Sequence, residues 1–419
     1  MLSTASTIDA AIQEATADPY TDLPRAVVVA ATSTDEVYRG HGGWAQLPQD
    51  PTKLEAEGER IKVDSVFELF SMTKLLGALA ALQCVERGLF SLDDDASQYV
   101  PELKTAKVFV GFDEDGNPKL EDNSTPITIR MLATHTAGFG YHFWHPAVAQ
   151  IAKKVGVSPM PYVHGATRNE IVCVPMVQQV DPHPDLLNKP GEHFEYGTSI
   201  DWLTLAVEAV TGTELESYLQ QNILGPLGIA DISYKPNPKQ ISMAYVGEDG
   251  KYQFAPSAPQ TSVQHFGGSG LKGPITSYLR LLRALLRGGE LDGARILKPE
   301  TVDLMFEDNL NEQQRVDFQT FMVRDADPST RKAGKSLPDM TYGIGGGLSG
   351  KGLASGRGSN ALFWSGLANT HWIVDRERDV CFLVATNILP FSEERLYQLW
   401  DKVEKALYDG LPKASTETQ

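Results

Sequence analysis

At 419 residues, with 42% apolar and 22% charged side chains, the chain is long enough for one large catalytic unit with an inserted lobe, or for two domains. Its formal net charge of −17 argues against a nucleic-acid or anionic-membrane partner, since both favour basic surfaces. The three cysteines, Cys84, Cys173 and Cys381, match neither a zinc spacing nor a Cys-x-x-Cys redox motif, and Cys84 and Cys381 sit in apolar runs as core thiols of a reducing compartment. Residues 1–5 lack the basic and apolar regions of a signal peptide, and no apolar run is long enough to span a membrane, so the expected address is cytoplasmic.

Ile8, Ala11, Ile12 and Ala15 predict a short amphipathic helix. Residues 26–32 form a β-branched run and 35–40 a second strand, together an antiparallel pair. Leu75, Leu76, Leu79, Leu82 and Val85 recur at helical spacing before Gly88, which predicts a helix over 71–87. The run Asp113-Glu114-Asp115-Gly116-Asn117-Pro118 is a turn between short strands at 108–120. A helix over 127–134 precedes His135, and 139–189 reads as an irregular segment whose Tyr141, Phe143, Trp144 and Tyr162 suit a lid or pocket wall, or a local core that ties the loop down. Helices follow at 200–210 and 215–223, a hairpin at 244–254, helices at 275–287 (Pro274 at the first helical position) and 299–306. Strands are expected at 342–348, 361–365, 371–374 and 380–386, then an amphipathic helix at 393–407 and a polar tail from 414. Strands concentrate at the two ends and helices in the middle. This predicts an α+β fold: one antiparallel sheet built from both chain ends (1–92 and 205–419), flanked by helices, with a mainly helical lobe inserted at 93–204.

The chemistry starts at Ser71-Met72-Thr73-Lys74. Residues three apart on a helix lie side by side, so the Ser71 hydroxyl and the Lys74 ammonium can meet. A Ser-x-x-Lys pair alone is commonly a helix cap beside a solvated lysine; it gains weight here because Lys74 leads directly into an apolar helix face. Acyl transfer through serine needs a proton acceptor, donors for the oxyanion and a proton for the leaving group. Lys74 can accept the proton if desolvation lowers its pKa, or, if it stays charged, act on a neighbouring tyrosine. Tyr196-Gly197-Thr198, at a loop-to-helix junction, is the candidate opposite group. Trp364-Ser365-Gly366 is a strand end with a glycine that admits close backbone approach, where the N–H groups of Leu367 and Ser71 can face an oxyanion together. The competing motifs are weak. The chain has no Gly-x-Ser-x-Gly elbow, its nine histidines form no His-Glu-x-x-His motif, and His142 and His145 make two metal ligands without a third.

These three segments, in this order and approximate spacing, resemble the serine β-lactamase superfamily, of class C and penicillin-binding-protein fold. Leu132-Ala133-Thr134-His135-Thr136-Ala137-Gly138 is similar to that superfamily's Leu-Leu-Thr-His-Thr-Ser-Gly stretch, and 81–89 resembles the end of its nucleophile helix. The likeness runs from about 26 to 407 and points most nearly to the family VIII carboxylesterases and the fungal lovastatin-pathway acyltransferases. It implies a β-lactamase/transpeptidase-like fold, Ser71 as the nucleophile, Lys74 and Tyr196 as an acid/base pair, and an oxyanion hole from the backbone N–H groups of Ser71 and Leu367. Tyr141, Phe143, Trp144, Thr198, Trp364, Ser365, Gly366 and Trp372 are the substrate-binding candidates. Two departures stand out. Trp364-Ser365-Gly366 replaces the Lys-Thr-Gly whose lysine binds a β-lactam carboxylate, and Thr198 replaces the usual Asn or Ser. Both favour ester chemistry.

The function expected from the sequence is hydrolysis of a carboxylic ester of an apolar, secondary-metabolite-like small molecule through an acyl-enzyme on Ser71, with no cofactor and no metal. The alternatives are acyl transfer from a thioester or ester donor to an alcohol, a non-catalytic binding protein on the same scaffold, and, least of all, β-lactamase or D,D-peptidase activity.

Overall fold

The structure is a computed structural model and describes residues 3–48, 50–141, 145–155, 185–255, 265–325 and 339–412. Helix α1 (Thr4–Ala15) starts at Ser3, whose side chain accepts the Ser6 N–H as an N-cap. Strands β1 (Arg25–Ala31) and β2 (Glu36–Gln46) form the expected antiparallel pair, and β3 (Glu59–Arg60) extends it. The C-terminal part supplies β4 (Thr341–Tyr342), β5 (Gly347–Leu348), β6 (Leu362–Gly366), β7 (Thr370–Asp375) and β8 (Val380–Ala385). The sheet order is β4-β5-β6-β7-β8-β1-β2-β3, antiparallel throughout. The two chain ends join where β1 pairs with β8, from Val27 opposite Ala385 to Ala31 opposite Cys381. The single strand expected at 342–348 is instead a tight hairpin, because Gly343-Ile344-Gly345-Gly346 turns the chain and the Gly343 N–H donates to the Gly346 carbonyl.

Strands β1, β7 and β8 are buried along their whole length, which is why they read as apolar runs rather than alternating patterns. On one side lies α6 (Glu394–Gly410), which packs on α1 and meets β8 where Phe382 touches Trp400 and Tyr408, with ring centroids 5.1 and 6.3 Å apart. On the other lies α4 (Ile275–Leu286), against β1, β7 and β8. Cys381, next to Phe382 and so pointing to the opposite face, feels the charge of Arg283 on α4. Both Cys84 and Cys381 are buried free thiols, while Cys173 lies outside the described residues.

Beyond the sheet, α2 (Thr73–Glu86) packs against α3 (Ser199–Thr211). The residues before α2, Phe70–Met72, form a 3-10 turn, so the helix expected from Ser71 enters through a tighter coil. Helix α5 (Glu312–Asp325) is not announced by the hydrophobic pattern, since its buried positions are few. Among the described residues no helix is long and apolar enough to cross a membrane.

A buried ion pair ties α6 to the loop that leads into β6. Arg357 Nε donates to Glu404 Oε1 at 2.9 Å with both side chains out of solvent, and Trp400 Nε1 donates to Glu404 Oε2 at 2.8 Å. Removing one partner of such a pair leaves a buried charge uncompensated. Glu404→Ala is therefore expected to cost about 3–5 kcal/mol of stability, read as a large fall in Tm; a change within experimental error would show that the pair carries no such load.

Candidate functional site

The segment that carries Ser71 is tightly clamped. Leu69 N–H donates to the Leu271 carbonyl at 3.0 Å, Leu271 N–H to Thr73 Oγ1 at 3.3 Å, and Tyr278 OH to the Met72 carbonyl at 2.9 Å. Just before it, Phe67–Glu68 pairs with Lys272–Gly273. Phe70 is bent to a φ of 43°, the left-handed region that a large side chain rarely adopts, and this turn presents Ser71 half-buried at the entrance of α2.

One turn on, Lys74 is 1% exposed. Its ammonium has three protons and three acceptors: Ser71 Oγ at 3.3 Å, Tyr141 OH at 2.9 Å and the Gly268 carbonyl at 2.8 Å. The amine also stands 5.1 Å from the Tyr141 ring centroid and 5.0 Å from that of Tyr196. Burial works against the Lys74 charge, but Tyr141, Tyr196 and Asp201 outweigh it and hold the ammonium above its ordinary value. Of the two roles open to Lys74 in the sequence, the charged one suits this environment.

Tyr196 is buried, and its hydroxyl accepts the indole N–H of Trp364 at 3.2 Å. The two rings lie 5.1 Å apart, and Tyr141, Phe321 and His135 complete the surround of Tyr196 at 5.5, 5.2 and 4.8 Å. His135, with φ 56°, brackets Tyr196 from both sides in sequence: its carbonyl accepts the Glu195 N–H at 2.8 Å and its Nδ1 accepts the Gly197 N–H at 3.4 Å. Burial, reinforced by the Lys74 charge, pushes His135 well below its usual value, so the ring is neutral with its proton on Nε2.

Two glycines permit the close approaches. A Cβ on Gly197 would stand 2.0 Å from the Phe139 carbonyl oxygen, so the loops carrying Tyr141 and Tyr196 are in backbone contact. A Cβ on Gly366 would stand 2.5 Å from the Leu69 carbonyl oxygen, so the end of β6 abuts the turn before Ser71. Beyond Gly366, Leu367 is half-buried, as is Ser365 before it.

The structure thus brings Ser71, Lys74, Tyr141, Tyr196 and Trp364 together, with Gly366 beside the Ser71 turn. Thr198 is buried at the start of α3, where its carbonyl accepts the Asp201 N–H at 3.0 Å. Trp372 pairs across from Trp364 on β7 and is 1% exposed, a core side chain behind the wall. Phe143 and Trp144 lie outside the described residues, as do His142 and Tyr162. Sequence reasoning missed His135 as a brace, Gly268 as an acceptor for Lys74, and Phe321 in the wall. The one available signal was the His-Thr pair after a short helix; a carbonyl acceptor and a weakly patterned helix leave none. Among the described residues no group of three His, Cys, Asp or Glu side chains is placed to hold a metal ion.

Comparison with known proteins places this site in context. The sequence profile of the family described as Beta-lactamase matches residues 9–406. Lovastatin esterase of Penicillium rubens is 30% identical over 402 residues, covering 91% of this chain and 93% of the relative. Monacolin J acid methylbutanoyltransferase of Aspergillus terreus is 32% identical over 362 residues, 83% of each chain. Among solved structures, a mutant of simvastatin synthase from Aspergillus terreus superposes with a TM-score of 0.81 at 30% identity, covering 97% of this chain and 95% of that one.

Gly197→Ala tests the contact between the two tyrosine loops. The added methyl cannot fit without parting them, and misplacement of this order is expected to slow ester turnover by about tenfold to a hundredfold. A variant with normal turnover would show that the loop contact does not position the site.

Proposed function

The chain belongs to the β-lactamase family, and from that premise we propose that it is a serine esterase acting on carboxylic esters of an apolar, secondary-metabolite-sized molecule. The observation that carries this reading is the contact of the buried Lys74 ammonium with Ser71 Oγ inside an aromatic wall. The wall presents the Trp364 indole N–H to the Tyr196 hydroxyl.

In this reading Ser71 is the nucleophile. An ammonium that keeps its proton is a poor base but a strong neighbour for negative charge. Tyr196, as the phenolate, takes the Ser71 proton while Oγ attacks the ester carbonyl; Lys74 and the Trp364 N–H face the charge that this demands. The C=O electrons move onto oxygen, toward the backbone N–H groups of Ser71 and Leu367 at the end of β6. Collapse expels the alkoxide, which takes the proton back from Tyr196, and leaves the acyl group on Ser71. Water then repeats the sequence and releases the acid. Tyr141, through its hydrogen bond to Lys74, fixes the third direction of the ammonium.

An alcohol in place of that water makes the same site an acyltransferase. The methylbutanoyltransferase among the relatives favours this second reading, while the lovastatin esterase favours the first. The acyl donor for transfer is an ester or a thioester. Penicillin-type substrates fit poorly, because Trp364 offers their carboxylate no positive charge.

Two measurements test the reading. With an aryl ester such as p-nitrophenyl butyrate, Lys74→Ala and Tyr196→Phe are each expected to lower kcat/KM by about 100-fold or more with unchanged circular dichroism, and near-normal turnover in Tyr196→Phe would place the base elsewhere. Product analysis with added aliphatic alcohol divides the two outcomes: exclusive free acid supports the esterase, and a new ester the transferase.

A further inference from the structure

Asp201 lies in the first turn of α3 and is 0% exposed. Its Oδ1 accepts the N–H of Gly268 at 2.9 Å, and the carbonyl of that same glycine accepts a proton of Lys74 Nζ at 2.8 Å. Oδ2 has no hydrogen-bond partner among the described residues. A carboxylate with one donor in a dry environment is expensive to keep. Its neighbours on α3 (Ile200, Trp202, Leu203) form an ordinary buried face that does not call for an acid there. The charged and titratable groups that face it are Lys74 from α2 and the buried hydroxyl of Tyr234, and beyond Lys74 stand Tyr141, Tyr196 and the neutral His135. Within that set Lys74 is the cation.

We propose that Asp201 is the counter-charge of Lys74, a positioning residue that acts through Gly268 to keep the lysine an ammonium directed at Ser71 during acylation. This rests on Ser71 being the nucleophile. Tyr196 is negative only until it takes the Ser71 proton, whereas Asp201 is a fixed charge, and a buried ammonium that lacks a fixed anion loses proton affinity, since desolvation disfavours the charged form. Burial raises the Asp201 carboxyl to about 6, against the opposing pull of Lys74, so it carries its charge at neutral pH and gives it up in mild acid. Below that point the wild type has lost the same charge that an asparagine lacks, and the acidity of the medium keeps Lys74 protonated in either case.

The test is the pH dependence of first-turnover p-nitrophenol release from p-nitrophenyl butyrate in wild type and Asp201→Asn. At about pH 5 the two rates are expected to agree within about twofold, and by about pH 9 the variant is expected to be at least about tenfold slower, the ratio opening as Lys74 of the variant loses its proton. A ratio that is constant with pH shows a merely structural role and overturns the proposal, as does a ratio of one throughout. A second readout is independent of catalysis: the 13Cε resonance of Lys74, assigned by its loss in Lys74→Arg. In the wild type it is expected to stay at the ammonium position up to about pH 9 and to register a titration near the Asp201 value. A neutral amine in that range, or no response to the Asp201 titration, overturns the proposal. This readout decides the question if Asp201→Asn does not fold, and also if the wild type releases no p-nitrophenol, a result that would instead count against the esterase reading.

Discussion

An ammonium taken out of water needs acceptors for its three protons and an environment that tolerates its charge, and the site is arranged around how Lys74 meets both needs. Its acceptors come from three distant parts of the chain: Ser71 one helical turn away, Tyr141 from the loop after His135, and Gly268 from the segment before α4. Each of these parts is tied down by further contacts. Leu271 clamps the Ser71 turn from both sides, Gly197 presses the Tyr196 loop onto the Tyr141 loop, and Gly366 lets β6 approach the same turn. A three-residue spacing on one helix becomes a site only because the fold brings those other segments to its end.

The aromatic wall follows from the same constraint. Tyr196 is surrounded by Tyr141, Phe321, Trp364 and His135, which exclude water from the lysine and strengthen every charge interaction inside. Trp364 combines the two tasks, with an apolar face for the wall and an indole N–H for the Tyr196 oxygen. The result is a largely apolar surround for a buried charge, with one polar contact aimed at the Tyr196 oxygen.

Much of this architecture was legible in the sequence because the signals are local. The β-branched runs at 26–32 and 380–386 mark two fully covered strands, and their pairing as β1 and β8 joins the chain ends as expected. Ser71 and Lys74 are legible through helical spacing, even though the helix enters through a 3-10 turn. What was not legible depends on tertiary contact. The 342–348 strand breaks into a hairpin because glycines at its centre turn the chain, whereas the flanking pattern alone reads as continuous. Gly268 contributes a carbonyl, which every residue has, and Tyr141 meets Lys74 across 67 positions of sequence. Asp201 left a faint trace as an acid between the apolar Ile200 and Trp202 at the start of α3, yet its relation to Lys74 passes through a glycine from another segment.

The nucleophilic role of Ser71 can be read out covalently. A slowly deacylating aryl ester, quenched in acid and followed by peptide mapping, is expected to leave the acyl mass on the peptide containing Ser71, and to leave Ser71→Ala unmodified. An unmodified wild-type chain during active turnover, or an acyl group carried on another side chain, would show that Ser71 is not the nucleophile.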